Sequence, residues 1–301
     1  MNWTGTGKLK IYGNINSRKL LTSYDNYFNG NTRIVDASRL YFTYGSCKNM
    51  FRNCTNLSAI PKIWHRGDWS SAHSFSGMFK GCTSLSTVPT NLFRNDSFRV
   101  VNNECKEMFA GCTSLTNAPY LKTGFSVSQG FYDSMFSGCT SLTTVPVDLL
   151  PATGMASGCY QYMFAGCTSL TNAPTLPATT LANWCYVGMF MSCSSLMYAP
   201  NLPATILSDD CYYKMFLDCK SLKTAPTLPA TILRTNSYAN MFQGCTSLSS
   251  IEVNFTDWGT GPNTYYWVDD GAAEGTFTKP TDLPLSTGIS YIPEGWTVIS
   301  H

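Results

Sequence analysis

The chain has 301 residues, with 20 Lys plus Arg against 18 Asp plus Glu, a formal net charge of +2, and 13% charged residues, where a globular protein usually has roughly a quarter. A near-neutral balance without charge blocks excludes a nucleic-acid binder, which needs a basic stripe to displace counterions. An apolar content of 44% excludes a disordered chain, and no apolar run approaches the ~18–20 residues of a membrane span.

At the N-terminus, residues 1–10 (MNWTGTGKLK) lack the charged-then-apolar pattern of an export leader. Non-Sec export, a removed leader or assembly inside a cell is therefore expected. Lys8-Leu-Lys-Ile-Tyr12 alternates like a strand. A polar, aromatic-rich stretch follows, and 1–44 is expected to cap what comes next.

From there an internal repeat dominates. Met-Phe recurs at 50, 78, 108, 135, 163, 189, 215 and 241, at intervals of 26 to 30 residues. Four residues after each Met stands a Cys, at 54, 82, 112, 139, 167, 193, 219 and 245, and three further on a Leu. Seven after the Cys stands a Pro in every copy but the last, which has Glu252. Within a unit, Cys211, Met215, Cys219 and Leu222 are offset by 4, 4 and 3, which predicts one face of a short helix. The Gly that often precedes the repeat Cys reads as a helix end. A stretch such as 170–177 leaves room for one short strand, with Pro marking its end or a bulge because Pro cannot donate to a ladder. Pro-Ala-Thr at 151–153, 177–179, 203–205 and 229–231 makes a turn.

One helix and one strand per unit cannot bury an apolar face alone, so the units must stack. The fold class expected is α/β, a solenoid of about eight strand-helix units over 45–253 with a curved parallel sheet roughly 35–40 Å long at ~4.8 Å per rung. Residues 254–301, with Trp258, Tyr265-Tyr266-Trp267 and Ile-Pro-Glu-Gly-Trp-Thr-Val298, are expected to be the C-terminal cap, whose tail also offers binding surface.

The string Met-Phe-x-Gly-Cys-Thr-Ser-Leu-Thr-x-x-Pro-x-Leu-Pro, as in 163–177, resembles a leucine-rich repeat of the BspA type over about residues 45–255. The Leu-x-x-Leu-x-Leu-x-x-Asn signature of ordinary leucine-rich repeats is absent. The resemblance implies a curved solenoid with strands on its concave side. It also implies adhesion or recognition rather than catalysis, on surfaces of gut or oral bacteria, in protists, or in fibre-like proteins of gut phages.

Thirteen cysteines ordinarily suggest disulfides or metal. Here eight belong to the repeat, and Cys47, Cys105, Cys159, Cys185 and Cys211 sit seven or eight residues earlier. Within a helix that separation is ~10–12 Å, beyond a disulfide, and zinc-type Cys-x2–4-Cys pairs are absent. Free buried thiols filling the core are expected; disulfides between adjacent rungs, or metal, are the alternatives. No cofactor is expected.

Catalytic constellations are not legible. His65 and His73 flank Arg66-Gly67-Asp68 in what reads as a solvated loop, and that tripeptide is short enough to occur by chance. Nucleophile-elbow, phosphate-loop and dinucleotide motifs are missing. Asp209-Asp210 and Asp269-Asp270 read as solvated loops, because adjacency does not set a catalytic separation; the latter pair, beside Tyr266 and Trp267, also suits sugar or calcium. An enzyme is not expected.

Aromatics off the core pattern are Trp64, Trp69, Tyr120, Tyr198, Trp258, Tyr265, Tyr266 and Trp267, each suited singly to packing but together to recognition. Positions just after the repeat Leu vary between units, as in Thr171-Asn172, Met197-Tyr198 and Lys223-Thr224, and suit hydrogen bonding to glycan or protein. The candidate ligand-binding residues are therefore Tyr120, Asn172, Tyr198, Lys223, Tyr265, Tyr266 and Trp267. The expected role is a non-catalytic receptor-binding component, on a phage virion or bacterial surface, whose partner is a host glycan or protein. The alternative is a structural or decoration subunit binding another protein of its assembly. The fibre version predicts a homo-oligomer; neither version involves nucleic acid or membrane insertion.

Overall fold

A computed structural model describes residues 7–14, 23–41, 46–61, 75–90, 92, 103–121 and 126–301. The His65–His73 stretch, with Arg66-Gly67-Asp68, Trp64 and Trp69, lies outside them.

The units stack, but the segments expected to be helices are something else. In 158–166, the N–H groups of Gly158, Tyr160, Tyr162, Phe164 and Gly166 donate to Asn183, Cys185, Val187, Met189 and Met191 of the next rung at 2.7–3.0 Å. The N–H groups between them turn inward: Gln161 donates to Gly158, Met163 to Tyr160, Ala165 to Tyr162 and Cys167 to Phe164. An α-helix would send every N–H four residues back within its own segment; this ribbon gives every second one to its neighbour. Its winding needs a left-handed residue every fourth position, and Gly158, Tyr162 and Gly166 have φ of 60°, 52° and 73°. None of the described residues is helical. Buried side chains spaced by four fit either winding. Gly, Asn, Asp and Ser at many of the left-handed positions favour the ribbon, since they tolerate that region and are weak helix formers, but Glu107, Tyr162, Trp184, Lys214 and Tyr266 adopt it too.

Each four-residue turn points two side chains inward, such as Cys159-Tyr160 and Met163-Phe164, followed by Cys167 and Leu170, all buried. Because rungs repeat in parallel, equivalent side chains stack into columns. Phenylalanines from Phe28 to Phe242 form one, with centroids 5.2–5.7 Å apart and rings within 18° of parallel. Tyr132, Tyr160, Tyr186, Tyr212 and Tyr238 form a second at 5.8–5.9 Å. Each such offset stack contributes ~0.5–1.5 kcal/mol beyond its buried area.

Among the described residues, regular strands appear only toward the ends. β1 (Leu9–Asn14) pairs in parallel with β2 (Ile34–Tyr41). β3 (Ser250–Glu252), β4 (Thr276–Lys279) and β5 (Thr297–Ser300) form a parallel three-stranded sheet. Between them the expected continuous sheet shrinks to single parallel bridges, Asn172 to Tyr198 to Thr224 to Ser250. The reason is the proline four residues after each Leu, which lacks an N–H and stops the ladder. Where Glu252 replaces that proline, the bridge lengthens into β3.

Stacking also continues past the eight Met-Phe units. Asn26, Phe28 and Gly30 donate to Lys48, Met50 and Arg52, and Tyr238, Phe242 and Gly244 donate to Asn263, Trp267 and Asp269. At the C-terminal end the aromatic columns give way to an edge-to-face cluster of Phe255, Trp258, Trp267, Phe277 and Tyr291. The indoles of Trp258, Trp267 and Trp296 donate to the carbonyls of Pro284, Tyr291 and Ala272. Buried Lys279 closes the last turn by donating Nζ to the carbonyls of Leu283 (2.6 Å), Pro280 and Thr281.

Gly166 tests the winding. A Cβ there would lie 3.6 Å from the Gly138 Cα, an ordinary contact, so its backbone and not its space demands glycine. Gly166→Ala should lower unfolding free energy by about 1–2 kcal/mol, read from urea denaturation.

Candidate functional site

The groups with most intrinsic reactivity are the thiols. All thirteen are free and buried. Each repeat Cys donates Sγ–H to the carbonyl of the Phe one rung earlier, at 3.0–3.2 Å: Cys54 to Phe28, Cys82 to Phe51, and so on to Cys245 and Phe216. Burial pushes these thiols up, from an ordinary 9.0 to about 12 at Cys112, Cys167 and Cys245. A buried neutral thiol is a poor nucleophile and a poor metal ligand, so this column is scaffold.

The side carrying the parallel bridges is the better candidate. Past each repeat Leu but the last, the chain runs for a few residues along the surface before its proline. Asn172, Tyr198 and Thr224 stand side by side on successive rungs, with Met197 and Lys223 beside them, all exposed. Tyr198 is 58% exposed. Tyr120 is 57% exposed and occupies the row of Thr90, Val147 and Thr175, as the bonds of Tyr120 N–H to Thr90 and Thr175 N–H to Val147 show. The structure thus brings Asn172, Tyr198 and Lys223 together and sets Tyr120 two units before Asn172, on the corresponding stretch of its own unit.

Many hydroxyls on this side have an internal role. Those of Thr116, Thr171, Thr175 and Ser249 donate to the carbonyls of Ser86, Thr143, Val147 and Lys223, one rung back. Asn117 is likewise used, accepting from the Val88 N–H and donating to its carbonyl. Their protons are engaged, so the groups most available to a ligand are the phenols, Met197, the Asn172 amide and the Lys223 ammonium.

The other candidates separate. Tyr265 and Tyr266 lie on the wound side, 4.1 Å apart edge to face, with Tyr265 exposed and Tyr266 left-handed at φ 53°. Trp267 is fully buried, its indole donating to the Tyr291 carbonyl at 2.7 Å. Assigning it to a ligand surface is therefore incorrect: the Tyr-Tyr-Trp run follows the winding, which turns the third ring into the core. Trp258 is buried too.

Asp269 and Asp270 border an open pocket of about 270 Å³ with Glu294, Val268, Ala272, Gly288, Ile289 and Pro293. Asp269 accepts from Gln243 at 3.2 Å. Among the described residues no three His, Cys, Asp or Glu side chains converge to hold a metal ion. Elsewhere on the wound side, ion pairs link rungs, Lys80 to Glu107 at 2.7 Å and Lys106 to Asp133 at 2.6 Å. The hydrogen bond to Asp133 holds the Lys106 ammonium above its ordinary range.

Sequence reasoning missed one residue on that side. Trp184 is half exposed at a position that Asn103, Gly130, Gly158, Asp210 and Asn236 fill in other units. A non-core aromatic amid left-handed-tolerant residues was the available signal.

No family model matches the chain, and no curated protein does. Among solved structures, the chain is similar to a leucine rich cell surface protein from Faecalibacterium prausnitzii A2-165, with 16% identity, a TM-score of 0.34, and coverage of 76% of this chain and 68% of that one. It is also similar to a leucine-rich repeat protein from Bacteroides ovatus ATCC 8483, with 19% identity and a TM-score of 0.31, over 72% of this chain and 59% of that one.

The thiols set a pH limit. Their folded values lie above the unfolded value near 9.0, so the stability they contribute is complete below that pH and is lost as pH rises toward 12. In reductant, the midpoint of thermal unfolding should hold to about pH 8 and fall steeply above it. Ellman's reagent should titrate the thiols only after unfolding.

Proposed function

We propose that this chain is a non-catalytic recognition protein, acting outside a cell on a bacterial or phage surface and binding a surface glycan or protein. The observation that carries the reading is the contrast between two sets of positions. The inward columns repeat almost unchanged from rung to rung. The outward side chains next to them vary more, as in Thr171-Asn172, Met197-Tyr198, Lys223-Thr224 and Ser249-Ser250 on successive rungs, and include the exposed Tyr120, Met197 and Tyr198 with the Lys223 ammonium. A rigid ladder with a varied polar-aromatic row presents many weak contacts in fixed register, and display of several copies multiplies them by avidity. The resemblance of the repeat to the BspA type supports the same class of role.

A second reading, a subunit stacked on another protein of its assembly, is favoured by the charge distribution. Residues 1–45 hold six basic and two acidic side chains, while 252–301 hold seven acidic and one basic. Opposite ends of opposite sign suit end-on contact with a complementary neighbour.

The test is retention of purified protein on whole gut-bacterial cells with and without their capsule. Wild type should bind at least one strain, and Tyr120→Ala with Tyr198→Ala should weaken binding at least tenfold. The melting temperature should barely move, because exposed substitutions stay within about 0.5 kcal/mol. Failure on every strain, with salt-sensitive self-association in sedimentation, would favour the second reading.

A further inference from the structure

Trp184 combines three features that packing does not account for. Its backbone is left-handed, φ 59°, a costly conformation for a bulky residue. In the equivalent position Asn103, Gly130, Gly158, Asp210 and Asn236 adopt φ of 54–60°, and all are types that tolerate it. Its side chain is 49% exposed, whereas the other described tryptophans, Trp258, Trp267 and Trp296, are exposed by 7% or less. The winding places other bulky residues, Glu107, Tyr162, Lys214 and Tyr266, in the same left-handed conformation, so what sets Trp184 apart is that its large apolar ring stays exposed instead of entering the core.

The ring is also held still. Its Nε1–H donates to Asp210 Oδ2 at 3.1 Å, and Asp210 Oδ1 accepts from Asn236 Nδ2 at 2.9 Å. Three successive rungs thus fix one indole by its edge and leave about half its surface to solvent. On the same side, the Tyr162 ring lies over Gly188, where a Cβ would come within 2.4 Å of it. Lys214 places Nζ 4.8 Å from the Tyr213 ring centre, and Asp209 is exposed.

We infer that Trp184, held by Asp210 and Asn236, is a stacking site for a neutral pyranose ring of a surface polysaccharide. A pyranose has a flat C–H face and a rim of hydroxyls. The indole matches the face, and the carboxylates match the rim, each oxygen keeping a lone pair beyond its present bond. A protein hot spot would sit amid a packed apolar ring, but here the residues bonded to Trp184 are Asp209 and Asp210, with Asn236 joined through Asp210. Nearby carboxylates disfavour a phosphate backbone. This inference rests on the recognition reading but occupies the wound side, away from Tyr120 and Tyr198.

The experiment is native gel electrophoresis of the full chain through laminarin, galactomannan, xylan or dextran. At least one polysaccharide should retard the wild type. Trp184→Asn should lose that retardation at least tenfold while unfolding at a higher temperature, since Asn accepts the left-handed backbone. Trp184→Phe should keep part of it, and Tyr198→Ala should keep all of it. The inference is overturned if no polysaccharide retards the wild type, or if Trp184→Asn is retarded equally. It is also overturned if Trp184-dependent cell binding survives periodate treatment of the cells but not protease. Cell binding that depends on Tyr120 and Tyr198 without any retardation would leave the recognition reading standing and remove only this site.

Discussion

The backbone hydrogen bond that leaves one rung for the next, from every second N–H of the wound segments, is the constraint on which the molecule depends. A buried N–H must find an acceptor, and here half of them find it only in a neighbour. No rung is complete alone. Stacking sets the axial spacing, the spacing sets the separation of equivalent side chains, and that separation is what lets rings and thiols form columns. The repeat Cys is chosen by this geometry: a small apolar side chain with one weak donor, reaching the carbonyl one rung back.

The same constraint explains the division of labour around each rung. On the wound side, left-handed residues every fourth position favour Gly, Asn and Asp, so many side chains there are short or polar, and pairs such as Lys106–Asp133 tie rungs together. On the bridge side, proline breaks the ladder after two or three residues. The backbone is sparsely paired, and side-chain hydroxyls take over part of the bonding to the previous rung. The surface left for a partner is accordingly narrower than the count of Ser and Thr suggests, and its aromatic members matter more.

The candidate site was legible in part, for a definable reason. Asn172, Tyr198 and Lys223 follow the repeat Leu at a constant offset, so aligning the units was enough to place them side by side. Trp267 was misread because an aromatic cluster in a flank has no repeat to align against, and one step of winding decides whether a ring faces solvent or core. Trp184 was overlooked because it stands just ahead of the segment taken for helix, which was read as starting at Cys185.

The repeat period, the inward residues Met, Phe, Cys and Leu, and the stacking of units follow from the sequence by itself, since a unit of 26 to 30 residues cannot hide its apolar side alone. The conformation of the wound segments was decided only by tertiary structure. A spacing of four is shared by an α-helix and by a ribbon with a left-handed residue every fourth position, and nothing local separates them decisively. What selects the ribbon is the neighbouring rung, whose carbonyls accept the N–H groups that a helix would have kept for itself.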